Sequence, residues 1–149
     1  MSNTRRRTPT YTGGVWETSS TGWLRWVEVD GTDRVGFITL RPLQPTDRLA
    51  EGVVAPTGHE VWLLAGLLVE QRYRGQGHGR ALLERGGAHL LDQTGGDVWF
   101  GLMTDNLETP LGRTSWSIRG AWDSFVAAHS DATTSGGFIL LTSGLGLGA

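Results

Sequence analysis

The sequence predicts an α/β fold in which a mixed sheet of about six strands carries two main helices. Two β-rich runs stand on either side of Asp30-Gly31-Thr32-Asp33, an arrangement typical of a β-hairpin. Between residues 60 and 104, a buried-strand pattern, a helix pattern and a second buried-strand pattern follow one another. This order indicates a βαβ unit, whose strands are parallel and whose crossover is right-handed.

The N-terminal part of the chain is predicted to contain a tail and three short strands. Residues 1–13 are polar and basic and are assigned to the tail. Val15–Glu17 is predicted to be a short strand, and Trp23–Val29 and Arg34–Leu40 to be the strands of the hairpin. Residues 41–58 contain three prolines and two glycines, so we expect a long irregular connection there.

The middle of the chain carries the βαβ pattern. Glu60–Val69 is almost continuously apolar, as is typical of a strand buried on both faces. His78–Gln93 places apolar residues and two glycines along one side of a helix. Gly86 and Gly87 in mid-helix should cost about 2 kcal/mol relative to two alanines, so we expect this helix to lie very close to a sheet. Asp97–Thr104 is the second buried strand.

The C-terminal third is predicted to contain a second helix and a last strand. The helix is expected to open at Thr109-Pro110 or at Thr114-Ser115, and an amphipathic stripe runs from Ile118 to His129. Ser135-Gly136-Gly137 is predicted to break the helix, and Phe138–Thr142 to form the last strand.

Composition and charge exclude several classes of protein. The 149 residues suffice for one domain, which we assign to residues 14–149. A net charge of −2 makes a nucleic-acid partner unlikely on charge grounds. The chain has no cysteine, and its four histidines are not spaced as ligands, so no metal site is expected. No apolar run could span a membrane and no signal peptide is recognisable, so we expect no membrane partner and a cytoplasmic location.

Three glycines at alternate positions lie between the buried strand and the first helix, at Gly75, Gly77 and Gly79. Such a loop can turn successive backbone N–H groups inward as an anion-binding nest, and the helix N-terminus adds its positive end. Arg74 and Arg80 flank the loop. The dinucleotide fingerprint has a different glycine spacing, and the P-loop needs a lysine, which this chain lacks. The loop therefore predicts a phosphate or pyrophosphate site; a loop needed only for tight packing is the alternative.

The segment Arg74-Gly75-Gln76-Gly77-His78-Gly79 resembles motif A of the GNAT N-acetyltransferase superfamily, Arg/Gln-x-x-Gly-x-Gly/Ala. As in that motif, it follows a strand ending in valine and precedes Ala-Leu-Leu. The resemblance extends, less specifically, over residues 23–142. It implies a GNAT-like mixed sheet that splays between its fourth and fifth strands. A pair of helices usually separates the family's first and second strands, but too few residues precede the second strand here, so we expect that pair to be reduced or absent.

The resemblance also implies a cosubstrate, acetyl-CoA or another acyl-CoA. Its pyrophosphate would contact the amides of the glycine loop, and its pantetheine arm would run along the end of the fourth strand as an added strand does. Asn106, just past the fifth strand, is a further expected contact. The expected cofactor-binding residues are Leu67, Leu68, Val69, Arg74, Gly75, Gln76, Gly77, His78, Gly79, Arg80 and Asn106.

The catalytic residues of the family have no full counterpart in this sequence. The general acid is often a tyrosine of the helix after the fifth strand, but Tyr11 and Tyr73 both lie elsewhere. Ser124 or His129 is the candidate for this role. A carboxylate base often lies on the fourth strand, where His59 and Glu60 at its start are the remaining candidates, with Glu60 preferred. Asp105 is a further candidate.

The expected function is transfer of an acetyl group from acetyl-CoA to a primary amine, by direct attack in a ternary complex. The sequence does not specify the amine acceptor. The alternative function is a non-catalytic acyl-CoA-binding sensor or interaction module on the same fold. Homodimers are common in the family, and the shortened N-terminal half favours a homodimer here.

Overall fold

The computed structural model describes residues 13–20, 22–47, 53–102 and 112–142. These residues form seven strands, a single 3-10 turn at Gln71–Tyr73 and two α-helices. The strands are β1 (Gly13–Thr18), β2 (Leu24–Asp30), β3 (Asp33–Pro42), β4 (Glu60–Val69), β5 (Val98–Leu102), β6 (Thr134–Ser135) and β7 (Phe138–Leu141), and the helices are α1 (His78–Thr94) and α2 (Gly112–Ala128).

The strands form one mixed sheet in the order β1-β2-β3-β4-β5-β7-β6. β4 and β5 are parallel neighbours joined by α1, whereas the other neighbouring pairs are antiparallel. The predicted α/β fold, hairpin and βαβ unit are therefore confirmed. The bounds of β4 agree with the prediction, because a continuous apolar run with turn residues on both sides leaves little freedom in where the strand begins and ends.

Both helices pack on the same face of the sheet. The main core lies between them and the sheet, and it consists of Leu24, Ile38, Leu40, Trp62, Leu64, Leu67, Leu82, Leu83, Leu90, Val98, Phe100, Ile118, Trp122, Phe125, Ile139 and Leu141. A Cβ on Gly86 would stand 3.0 Å from Ile38 Cδ1, which confirms that α1 lies very close to the sheet. On the opposite face, Leu43 and Val53 of the connection between β3 and β4 pack on the buried side chains of Leu63, Trp99 and Phe138.

Most other strand bounds differ from the sequence prediction by one or two residues, and the more informative differences concern β1, α2 and the segment before β7. β1 begins at Gly13, which its polar surroundings had assigned to the tail. α2 begins at Gly112, between the two predicted starts, and ends at Ala128. Ser135-Gly136-Gly137 does not break this helix, because Ser135 belongs to β6 and the two glycines form the turn to β7. A glycine pair indicates a chain reversal without specifying whether a helix or a strand precedes it, so β6 was missed and the strand count was one too low.

The connection between β1 and β2 is short, because it consists of residues 19–23 alone. The Ser19 N–H donates to the Trp23 carbonyl at 2.9 Å, and the Trp23 N–H donates to Ser19 Oγ at 3.1 Å. These bonds close a hairpin between two antiparallel strands. The connection has no room for a pair of helices, which confirms the expected reduction of the N-terminal region.

A largely buried ion pair holds the start of the connection between β3 and β4. The Arg41 guanidinium donates to both carboxylate oxygens of Asp47, at 2.8 Å and 2.6 Å, and the Gln44 N–H donates to the same carboxylate at 2.6 Å. The hydrogen bonds from Arg41 are the largest influence on this carboxyl group, and they hold the pKa of Asp47 below its ordinary value. The pair therefore ties residues 41–47 together next to Leu43, which packs on the sheet.

We expect Asp47→Asn to lower the free energy of unfolding by about 1.5–3 kcal/mol at pH 7, the range for hydrogen bonds to charged groups. Because the pKa of Asp47 is lowered by folding, this stabilisation is present above the unfolded pKa and is lost as pH falls through the folded pKa. The difference from wild type should therefore shrink below about pH 4. Urea denaturation at pH 7 and pH 3 measures it.

Asp123→Asn is the matched control for this experiment. It removes an exposed carboxylate that pairs with Arg119 on α2, so it should change the free energy of unfolding by at most about 0.5 kcal/mol. Equal losses in the two variants would contradict the role assigned to the pair of Arg41 and Asp47.

Candidate functional site

A cleft of about 480 Å³ lies where the end of β4, the glycine loop, the first turn of α1 and one side of α2 meet. Its walls contain apolar, glycine and basic residues. The residues that line it are Leu67, Leu68, Val69, Tyr73, Arg74, Gly75, Gly77, His78, Gly79, Arg80, Ile118, Gly120, Ala121 and Ser124. Nine of the eleven expected cofactor-binding residues are among them, so the structure brings most of the predicted site together.

The first wall of the cleft is the end of β4. Among the described residues, the parallel pairing of β4 with β5 extends to Leu64 and Leu102, and β4 continues to Val69. From Leu67 to Val69, β4 pairs with β3 on one side, and no strand in the described part of the chain pairs with it on the other. The strand therefore offers main-chain N–H and C=O groups to a ligand, as the expected splay between these two strands requires.

The second wall is the glycine loop. Gly75 and Gly77 have φ values of 77° and 85°, in the left-handed region that favours glycine. Gly77 is the N-cap of α1, and as a glycine it provides no side-chain capping hydrogen bond to the first turn of the helix. N–H groups of such a turn lack intrahelical acceptors, and together with the helix dipole they favour an anion. Arg74 Nε donates to the Val69 carbonyl at 2.9 Å, which joins this loop to β4.

The third wall is α2. Of the α2 residues that line the cleft, only Ser124 is predicted from the sequence to be a site residue. A Cβ on Gly79 would stand 3.0 Å from Ala121 Cβ, so the two helices touch at this level. Ile118, Gly120 and Ala121 line the cleft beside Ser124. Their spacing in the predicted amphipathic helix could have indicated a shared face, but only the contact with Gly79 identifies the loop as their neighbour.

Of the two remaining predicted cofactor contacts, Gln76 does not line the cleft and Asn106 is not described. Gln76 is exposed, and its side chain donates to the Arg72 carbonyl at 3.3 Å. Asn106 lies outside the described residues. Tyr73 does line the cleft, with its ring 5.5 Å from that of His78, although the sequence indicated only that it belongs to the lead-in of the loop.

The three preferred catalytic candidates occupy different places. Ser124 lines the cleft. Glu60 lies at the opposite end of β4, where its carboxylate accepts a hydrogen bond from Trp62 Nε1 at 3.2 Å. It stands seven positions before Leu67, which is about 23 Å along an extended strand. The side chain of His129 is buried against α1, 3.8 Å from a carboxylate oxygen of Glu84. Of the three, only Ser124 is brought to the predicted cofactor site.

The charge around the cleft is positive. Arg74 and Arg80 line it, and none of the described residues that line it is aspartate or glutamate. Within the described ranges, no group of three or more His, Asp or Glu side chains could hold a metal ion. No helix in the same part of the chain combines the length and apolar character needed to cross a membrane.

These features define an α/β domain whose cleft suits an extended ligand with an amide arm and an anionic group. A family model described as the acetyltransferase (GNAT) family matches residues 4–109 of the 149. The chain belongs to the GNAT family, which supports an acyltransferase-type activity. The match starts earlier than the resemblance over 23–142 and ends before α2. No curated protein matches the chain.

We expect Gly77→Ala to lower the free energy of unfolding by about 1–2 kcal/mol, the cost of placing an ordinary residue in the left-handed region. No atom lies within 4 Å of a Cβ at this position, so backbone strain is the only cost. Gly77→Asn should lose less, because asparagine tolerates this conformation. Urea denaturation compares the variants.

Gly120→Ala is the control for added volume without backbone strain. It lies inside α2 with open space around its Cβ, and it should gain up to about 1 kcal/mol from helix propensity. A Gly77→Ala variant as stable as wild type would refute the left-handed conformation assigned to Gly77.

Proposed function

We propose that the protein is an acyl-CoA-dependent N-acyltransferase that transfers an acetyl group from acetyl-CoA to a primary amine by direct attack in a ternary complex. The observation that carries this proposal is the cleft, in which a strand edge without a partner strand among the described residues, a glycine loop and a helix N-terminus capped by glycine follow one another. Acetyl-CoA has matching groups in the same order, because its amide-containing pantetheine arm leads to a pyrophosphate. The acceptor is left open, and a cytoplasmic location and a homodimer stay predictions.

The residues of the cleft have separate roles in this proposal. The main chain of Leu67, Leu68 and Val69 pairs with the pantetheine amides as a neighbouring strand would. The N–H groups from Gly75 to Arg80 bind the pyrophosphate, supported by the positive end of α1. Arg74 contributes its charge and, through its bond to Val69, keeps the loop and the strand edge in fixed relation.

Acyl transfer requires a positioned amine and a stabilised oxyanion. Bound acetyl-CoA supplies a thioester that a neutral amine attacks; the C–N bond forms, the C–S bond breaks, the amine loses a proton and the thiolate gains one. The N–H of Leu67 or Leu68 is the candidate donor to the carbonyl oxygen. Because no described residue that lines the cleft is a carboxylate, we infer that the amine arrives neutral and that positioning supplies much of the rate acceleration.

The alternative function is acyl-CoA binding without turnover. One observation favours it: α2, the helix that often carries the tyrosine acid of the family, contains no tyrosine. Instead, Trp122 and Phe125 pack on Phe100 in the core, with ring centroids 5.1 Å and 6.0 Å from it. A binding module would need the cleft but no proton donor at its thiol end.

Two substitutions at one position test the cofactor site. Gly77→Asp and Gly77→Asn have nearly the same shape and both tolerate the left-handed conformation, but only aspartate adds a negative charge to the loop. We expect Gly77→Asn to bind CoA within a few-fold of wild type and Gly77→Asp to bind more than about tenfold more weakly, because of charge repulsion. Isothermal titration calorimetry measures both. Equal affinities of the two variants, or no CoA binding by folded wild type, would refute the site.

A second measurement separates catalysis from binding alone. A thiol-reactive dye detects free CoA released from acetyl-CoA in the presence of a panel of primary amines. An acyltransferase should release thiol in an amine-dependent way that Gly77→Asp abolishes. Tight CoA binding without thiol release by any amine would favour the binding module.

A further inference from the structure

The face of the sheet opposite the helices carries a row of residues next to the end of β4. The strand register places Arg25 of β2 beside Thr39 of β3, and Thr39 beside Gly66 of β4. Directly opposite residues of neighbouring strands share one face of a sheet. A residue adjacent to each member of the row lies in the core under the helices, so the row itself is on the other face. These adjacent residues are Leu24, Leu40 and Leu67.

This row contains a shallow depression. A Cβ on Gly66 would stand 3.6 Å from Thr39 Oγ1 and 3.9 Å from Cε1 of Phe37. Because glycine lacks that atom, Gly66 forms the floor between these two side chains. Gly66, Thr39 and Phe37 are all half-buried, so the depression is partly open among the described residues.

Arg25 places a positive charge at the border of the depression. Its guanidinium carbon lies 4.0 Å from the centroid of the Phe37 ring, and the same ring borders Gly66. The side chain of Arg25 is exposed, and within the described ranges it forms no ion pair. Its cross-strand neighbour Glu17 lies on the side of Arg25 that faces away from Gly66. The guanidinium is therefore available to an anionic group that enters the depression.

The depression lies at the level of the reactive end of the proposed cosubstrate. β4 runs toward the glycine loop, and the proposed pantetheine arm lies along Leu67–Val69 with its pyrophosphate beyond. The thioester therefore points back along β4, to the level of Gly66. On the helix side of this level, Leu64 and Leu67 are buried in the core, so an amine would reach the thioester from the half-buried opposite face.

We propose that this depression binds the acceptor and that Arg25 selects a primary amine that also carries an anionic group, either a carboxylate or a phosphate. This inference rests on the proposed function and names the class of substrate left open there. The guanidinium pairs with the anionic group, and Thr39 Oγ1 accepts a hydrogen bond from the amine above Gly66. The amine nitrogen gains the acyl group and loses a proton, and CoA leaves as the thiol.

Matched pairs of amines test the proposal. β-Alanine is compared with β-alaninamide, and O-phosphoethanolamine with ethanolamine, by thiol release from acetyl-CoA. The preference is the ratio of kcat/KM for the anionic amine to kcat/KM for its neutral counterpart. Arg25→Gln should reduce this preference about five- to tenfold in at least one pair, because charge-assisted hydrogen bonds are strong even where salt screens them in part. The pair with the larger preference distinguishes a carboxylate from a phosphate.

A binding measurement gives the same preference without turnover. The affinities of the four amines for the CoA-saturated protein, measured by isothermal titration calorimetry, should show the same dependence on Arg25. Comparing each ratio between variants cancels the intrinsic reactivity of the amines. The side chain is exposed, so Arg25→Gln should remain folded.

Two further arginine variants control for charge. Arg119→Gln removes the same charge from an exposed arginine of α2, which pairs with Asp123, and should leave the preference unchanged. Arg25→Lys keeps the charge but loses the planar guanidinium, so it should retain part of the preference.

Gly66→Ala tests the floor of the depression. The added methyl group would be in ordinary van der Waals contact with Thr39, so the variant should remain folded. It should lower kcat/KM for every accepted amine at least several-fold, because the methyl group occupies the depression. The affinity for CoA should stay within a few-fold of wild type, because the glycine loop is unchanged.

The outcomes separate this inference from the proposed function. Equal preferences in wild type and Arg25→Gln, or no binding of any of the four amines to the CoA-saturated protein, would overturn the inference alone. A loss of preference in Arg119→Gln equal to that in Arg25→Gln would also overturn it, since the effect would then be one of net charge. An absence of thiol release with the whole panel of primary amines would overturn the proposed function.

Discussion

The candidate site depends on one feature of the described part of the chain: β4 continues to Val69, beyond Leu64, the last residue for which pairing with β5 is described. Buried backbone N–H and C=O groups need partners, so a strand that runs past its neighbour must offer its edge to water, another segment or a ligand. β4 does this over its last residues, next to the turn that starts α1. The contact of Gly79 with Ala121 brings α2 to the same place. The end of β4, the glycine loop and α2 thus form the three walls of the cleft.

The sequence predicts those parts of the site that local backbone chemistry determines. Left-handed conformations at Gly75 and Gly77 are encoded by the glycines themselves, and the apolar run of β4 specifies the strand before them. The pairing with β5 is different, since it joins residues far apart in sequence, such as Leu64 and Leu102. The wall from α2 is likewise set by tertiary packing. Its residues are recognisable as one helix face but not as neighbours of the loop.

The burial of charged side chains was not predicted from the sequence either. Glu28 on β2 is fully buried, and its carboxylate accepts a hydrogen bond from Trp26 Nε1 at 2.6 Å and lies 3.4 Å from Arg85 Nε. Burial is the dominant influence and raises the pKa of Glu28, whereas hydrogen bonds from Arg41 lower that of Asp47. The two groups therefore affect stability in opposite directions. As the pH rises from the ordinary pKa of a glutamate to the raised pKa of Glu28, the free energy of unfolding falls. As the pH rises from the lowered pKa of Asp47 to the ordinary pKa of an aspartate, the free energy of unfolding increases.

The cofactor side of the protein is easier to infer than the acceptor side for a physical reason. A phosphate-binding loop works through main-chain N–H groups, so few residue types can build it and those residues identify it. Acceptor recognition and proton transfer work through side chains on elements that differ here from the family pattern. The N-terminal helix pair is missing between β1 and β2, Leu43 and Val53 cover part of the opposite sheet face, and α2 places Trp122 and Phe125 in the core. Under the proposed function, acceptor recognition would depend on elements that this chain does not share with its family, which is why family membership supports the reaction class without specifying an acceptor.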